Sequence, residues 1–101
     1  MFNNERYITK GSSIKLPPYL INMLWFLIET MNAPNGEQDH FQIFDLSSEI
    51  VDGQPVQVIE HSQEIPEYKA TYRINTVKAV DAKVYIIDDV SHSTMLLAEE
   101  Y

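Results

Sequence analysis

From Leu16 to Met31 the chain reads LPPYLINMLWFLIETM, and everything after it repeats at strand spacing instead. At about 100° per residue, Leu20, Leu24, Leu27 and Met31 form one apolar stripe, with Ile21 and Ile28 on one flank and Met23 on the other. Pro17 and Pro18 suit the first turn of this helix, where a missing N–H costs nothing. Asn32, Pro34 and Asn35-Gly36 stop it near Met31. A single amphipathic helix must bury its stripe on something, and the only partner the rest of the chain offers is a sheet.

Arg6 to Thr9 (RYIT) is a short strand candidate closed by Gly11. FQIFDL (41–46) is rich in strand formers, and Asp52-Gly53 is a two-residue hairpin signal before QPVQVIEH (54–61). YKATYRIN (68–75) alternates, with Tyr68, Ala70, Tyr72 and Ile74 on one face and Lys69, Thr71, Arg73 and Asn75 on the other. AKVYII (82–87) is apolar on both faces, as a central strand would be, and TMLLA (94–98) comes last. Short connections favour antiparallel neighbours. The expected fold is α+β: one domain over 1–101, a single main helix packed on a five- or six-stranded, mostly antiparallel meander.

The 45% hydrophobic content supports one core in 101 residues. The absence of cysteine excludes a disulfide framework, a thiolate nucleophile and a thiolate metal site. The longest unbroken apolar run, Met23 to Ile28, is far short of the ~20 residues that span a bilayer. The N-terminus lacks the apolar core of a signal peptide, so a cytoplasmic protein without membrane contact is expected. The net charge of -8 argues against direct binding to nucleic acid. Basic residues fall in two blocks, Arg6, Lys10 and Lys15, then Lys69, Arg73, Lys78 and Lys83. The segment 16–68 between them carries acidic side chains only, either as a solvated surface or as a face for a basic partner.

Chemistry concentrates in the ending IDDVSHSTMLLAEEY. Asp88, Asp89 and His92, with His61 as a fourth group, have the donor types of a zinc or manganese site. Adjacent Asp88 and Asp89 would point to opposite faces of a strand, however, and no HExxH-type spacing fixes two ligands on one side. Ser91 and Ser93 flank His92, but chain neighbours rarely present nucleophile and base in working geometry, and no GxSxG elbow exists. Asp88 to Ser93 therefore reads as a hairpin loop, with no metal, cofactor or catalytic residue expected. His61 reads as a half-buried histidine of its strand, and no glycine-rich phosphate loop is present.

NERYITKG, LPPYLINMLWFLIE, FQIFDL, QEIPEYKATY and AKVYIIDDVSHSTMLLAEEY together resemble a family of small Firmicutes proteins known as domain of unknown function family 960. The resemblance spans nearly the whole chain, and DDVSHSTMLLAEEY is its most specific part. It departs where the family pattern has Gly-Asp and this chain has Val90-Ser91. It implies an uncharacterised bacterial cytoplasmic protein and brings no activity, cofactor or catalytic residue with it.

One feature of the helix points outward. Trp25 and Phe26 lie on either side of the polar line of Asn22 and Glu29, off the core stripe. Large aromatics there need cover, from the same chain, a second copy or a protein partner. The leading expectation is a non-enzymatic protein-interaction module or homo-oligomer, possibly a dimer, using Trp25 and Phe26. The alternative is a metal-assisted or general acid/base enzyme using Asp88, Asp89, His92 and His61.

Overall fold

The computed structural model describes residues 1–101. In chain order the elements are β1 (Glu5–Ile8), α1 (Lys10–Lys15), α2 (Pro18–Thr30), β2 (Phe41–Val51), β3 (Gln54–Gln63), β4 (Tyr68–Asn75), β5 (Ala82–Asp88) and β6 (His92–Leu97). Single 3-10 turns lie at Pro34–Gly36 and Ala98–Glu100. No helix is long and apolar enough to cross a membrane.

The six strands form one sheet in the order β1-β6-β5-β2-β3-β4. Every pairing is antiparallel except β1 with β6, so the sheet is mixed. The expected meander holds only for β2, β3 and β4. Instead of continuing past β4, the chain crosses back and lays β5 on the far side of β2, which makes a Greek key. The side chains explain the choice. On β4 every second residue is exposed, which suits an edge. On β5, Val84 and Ile86 are fully buried while Tyr85 and Ile87 are half-buried, which suits an interior place.

The helix α2 lies on one sheet face. Leu20, Leu24, Leu27 and Ile28 pack into a core with Phe44, Leu46, Ile59, Val84, Ile86 and Met95. Met31 falls outside this set: it is the extended residue that ends the helix, and it is only half-buried. Trp25 takes part in the core instead. Phe2, from the N-terminal segment, also plugs it and is 2% exposed.

A second correction concerns Gly11. The chain does not simply leave β1 there but turns into α1, capped by Thr9, whose Oγ1 accepts the Ser12 N–H at 3.2 Å. Gly11 allows a close approach: a Cβ there would push the Glu100 carboxylate from its place. That carboxylate is held by Thr9 Oγ1 at 2.7 Å and the Leu97 N–H at 2.8 Å. The Asp52-Gly53 turn forms as expected, with φ of 51° and 77°, the doubly positive backbone of a two-residue hairpin.

The crossover from β4 to β5 is fixed by one buried side chain. Gln57 Oε1 accepts the Val80 N–H at 2.8 Å, and its Nε2 donates to the carbonyls of Val80 and Ser47, each at 3.0 Å. Gln57 is fully buried, and it is the side chain that takes the Val80 N–H. Replacing it with leucine keeps the volume but strips the partly buried Val80 N–H and two carbonyls of their partner. Gln57→Leu is expected to cost about 2–4 kcal/mol in urea unfolding; a loss below about 0.5 kcal/mol would show that the crossover does not depend on it.

Candidate functional site

The loop Asp88 to Ser93 joins β5 to β6, and its two aspartates do separate work. Asp88 is 7% exposed and faces the core side. Its Oδ2 accepts the Phe2 N–H at 2.7 Å; its Oδ1 accepts Val90 N–H at 2.7 Å and Asn4 Nδ2 at 3.0 Å. Burial pushes the Asp88 pKa up, but the donors of Phe2, Val90 and Asn4 outweigh it and hold the carboxyl below its ordinary value. Asp88 is thus an anchor for the N-terminal segment.

Asp89 lies outside. Its Oδ1 accepts the His92 N–H at 3.0 Å, and its Oδ2 sits 3.1 Å from His92 Nε2. His92 Nδ1 is 2.9 Å from Ser91 Oγ. Contrary to the expectation for chain neighbours, Ser91 and His92 do meet; Ser91 Oγ also hydrogen-bonds Asp89 Oδ1 at 3.2 Å, while the ring and the Asp89 carboxylate are in ion-pair range without a hydrogen bond. The group stands in water, with the His92 and Asp89 side chains 37% and 50% exposed. The nearest groove is lined by Phe2, Asn4, His40, Asp88 and Val90, and neither Ser91 nor His92 borders it. No group of three or more His, Asp or Glu side chains is arranged to hold a metal ion.

His61 is remote in its contacts from that loop. It is fully buried on β3, stacked on Phe44 with ring centroids 4.3 Å apart and edge-on to Tyr68 at 5.4 Å. Its Nε2 lies 2.6 Å from Gln42 Oε1. Gln42 Nε2 donates to Gln63 Oε1 at 2.7 Å and to the Asp39 carbonyl at 2.8 Å. The amide of Gln42 is thereby oriented with its oxygen toward the ring, so Nε2 carries the proton and Nδ1 is a bare, unpartnered nitrogen. Burial lowers the His61 pKa to about 4, and the ring is neutral. Sequence reading passed over Gln42 and Gln63; the signal was their period-two spacing with Phe44, Ile59 and His61.

The two aromatics of α2 part company. Trp25 is 8% exposed, because the Arg6 guanidinium lies over its ring, 4.6 Å from the centroid, and is held there by Glu29 at 2.8 Å. Phe26 is 54% exposed. It stands on the other side of the helix, in a groove with Met23, Thr30, Tyr72 and Ile74. That groove runs between α2 and β4, the last strand of the sheet. At its far end Tyr19 OH meets Thr76 Oγ1 at 3.0 Å, and a second groove opens beyond, lined by Ile14, Lys15, Val77 and Lys78. Tyr19, Met23, Phe26 and Thr30 recur at helical spacing, so one stripe of α2 looks out past the sheet edge along the whole cleft.

The architecture is that of a two-layer α+β domain, one helix layer on a mixed sheet. The profile of the family described as Staphylococcal protein of unknown function (DUF960) matches residues 5–100, and the chain belongs to that family. The chain is also similar to the crystal structure of a protein of unknown function from Enterococcus faecalis, with 23% identity and a TM-score of 0.71 over 98% of this chain and 92% of that one. At that identity the likeness speaks for the fold alone. No curated protein matches.

Two expectations follow from these residues. Val90 has φ of 83° and is 91% exposed. A β-branched residue is strained there and its side chain packs on nothing. Val90→Gly should raise stability by about 1 kcal/mol, after the ~0.4–1 kcal/mol entropic cost of glycine; an unchanged or lower urea midpoint would contradict this.

His61 binds a proton in the unfolded chain near pH 6.5 but in the fold only near pH 4. Its contribution is present above pH 6.5 and is lost as pH falls toward 4, by about 1.4 kcal/mol per pH unit. Asp88 acts lower, below its ordinary value of 3.8. His61→Gln, which keeps a donor for Gln42, should flatten the stability profile between pH 4 and 6.5; an unchanged slope would refute the neutral, buried ring.

Proposed function

We propose that this protein is a non-enzymatic interaction module that binds another protein through the cleft between α2 and β4, with Phe26 as its anchor. The observation that carries the reading is the exposure of Phe26, 54%, in an apolar groove with Met23, Tyr72 and Ile74. Exposed aromatics beside ready pockets are the usual anchors of protein interfaces. Trp25 supports the site from behind, since Arg6 and Glu29 lock it into the core. The enzyme alternative has the Ser91–His92 pair in its favour, but Ser91 does not border the groove beside Asp88, and His61 and Asp88 are engaged elsewhere.

The test is a partner recovered from native cell extract, then purified and titrated against wild type and Phe26→Glu. Loss of a half-buried aromatic anchor and insertion of a charge should weaken binding at least 30-fold, the equivalent of about 2 kcal/mol. Both proteins are also sedimented, to register self-association. If Phe26→Glu folds normally and changes neither partner affinity nor assembly, the reading is wrong.

A further inference from the structure

The interaction reading leaves open what the cleft holds. We infer that it takes an extended, acidic peptide segment of another protein, which adds to β4 as a seventh strand.

The backbone of β4 is the first reason. It ends the sheet and has no neighbour on its outer side. The Thr76 N–H donates to the Pro55 carbonyl at 3.2 Å, and the antiparallel register places Asn75 opposite Val56. Alternation then turns the N–H and C=O groups of Tyr68, Ala70, Tyr72 and Ile74 toward β3. Those of Lys69, Thr71, Arg73 and Asn75 point outward, and no backbone or side-chain group of the chain takes them. The strand is eight residues long, in unbroken register, without proline or glycine. Edges of that length normally carry a bulge, a proline, charged side chains or a cover; here only Lys69 and Arg73 serve, and Glu60 and Glu49 draw them to the chain at 3.7 and 3.2 Å. Here the edge is left as a template, and the Phe26 groove lies directly beside it to receive the alternate side chains of an added strand.

Charge selects the occupant. The chain carries -8 overall, yet no carboxylate lines either half of the cleft. Lys15 and Lys78, at the far end beside Ile14 and Val77, form no ion pair. Arg73 also borders the near end, but Glu49 holds its guanidinium at 3.2 Å, so the two lysines carry the open positive charge. The grooves measure about 570 and 630 Å³, within the roughly 300–1,000 Å³ typical of binding pockets. A second copy is a poor fit, since its own β4, YKATYRIN, carries no carboxylate to meet Lys15 and Lys78. An acidic strand with apolar alternate positions satisfies the backbone, the grooves and the lysines together.

The test pans a phage-displayed library of random ten-residue peptides on the purified full chain at physiological salt. Selected peptides should alternate apolar residues and carry Asp or Glu. Synthetic copies should bind at least 10-fold more weakly to Thr71→Pro, which removes one outward N–H while leaving the β3 ladder whole, and equally well to Thr71→Val. Lys15→Glu with Lys78→Glu should also cost at least 10-fold, and rising salt should weaken wild-type binding. If Thr71→Pro does not fold, amide shift changes on titrating wild type must centre on Lys69 to Asn75. Neutral or basic peptides, or acidic ones indifferent to Thr71→Pro or mapping elsewhere, overturn the inference. So does a dimer abolished by Thr71→Pro, which would assign the edge to a second copy. Partner binding lost in Phe26→Glu but unchanged in Thr71→Pro would end strand addition while leaving the interaction module intact.

Discussion

One helix has to serve six strands. The 13 residues of α2 give a rod about 20 Å long and 10 Å wide, while six strands span about 24 Å at 4.8 Å spacing. The apolar contact of Leu20, Leu24, Leu27 and Ile28 with Phe44, Ile59, Val84 and Ile86 holds the two layers together, but it covers only the middle of one face. Everything else in the fold answers that shortfall. Phe2 fills the core at one end, tied down by Asp88. Arg6 roofs Trp25. The Gln42–Gln63–His61 network closes another end with polar groups that satisfy one another. On the uncovered sheet face Tyr101 leans on Phe41 and Tyr85, at 5.4 and 5.6 Å between ring centroids. The α2–β4 cleft is the part of the shortfall that the chain itself does not close.

Much of the architecture was legible because it rests on local periodicity. The helix and a segment of each of the six strands show in the sequence, as does the Asp52-Gly53 turn through its backbone demands. The place of β5 inside the sheet was legible too, from apolar residues on both of its faces. The Greek key was not, because the crossover is held by Gln57, a residue that reads as polar punctuation until Val80 is seen against it. Helix α1 was missed because Gly11 signals an end in sequence, and only the Glu100 carboxylate, 89 positions away, explains it.

The candidate site was half legible. Helical spacing placed Trp25 and Phe26 off the core stripe but could not say that Arg6, from a different element, would cover one and leave the other. The opposed directions of Asp88 and Asp89 follow from strand geometry. The hydrogen bond between Ser91 and His92 does not, since it belongs to the loop, where Val90 takes a positive φ that strand spacing does not foretell. The basic residues seemed to be two sequence blocks. Folding brings Lys15 from one and Lys78 from the other to the same groove.

The central claim is that β4 is an open edge, and amide hydrogen exchange of the free protein reads that most directly. The amides of Ala70, Tyr72 and Ile74 bond to β3, and those of Lys69, Thr71, Arg73 and Asn75 bond to nothing. The account requires slow exchange at the first set and fast exchange at the second, alternating residue by residue. Protection of all seven amides alike would mean that the edge is already paired or covered, and would contradict it.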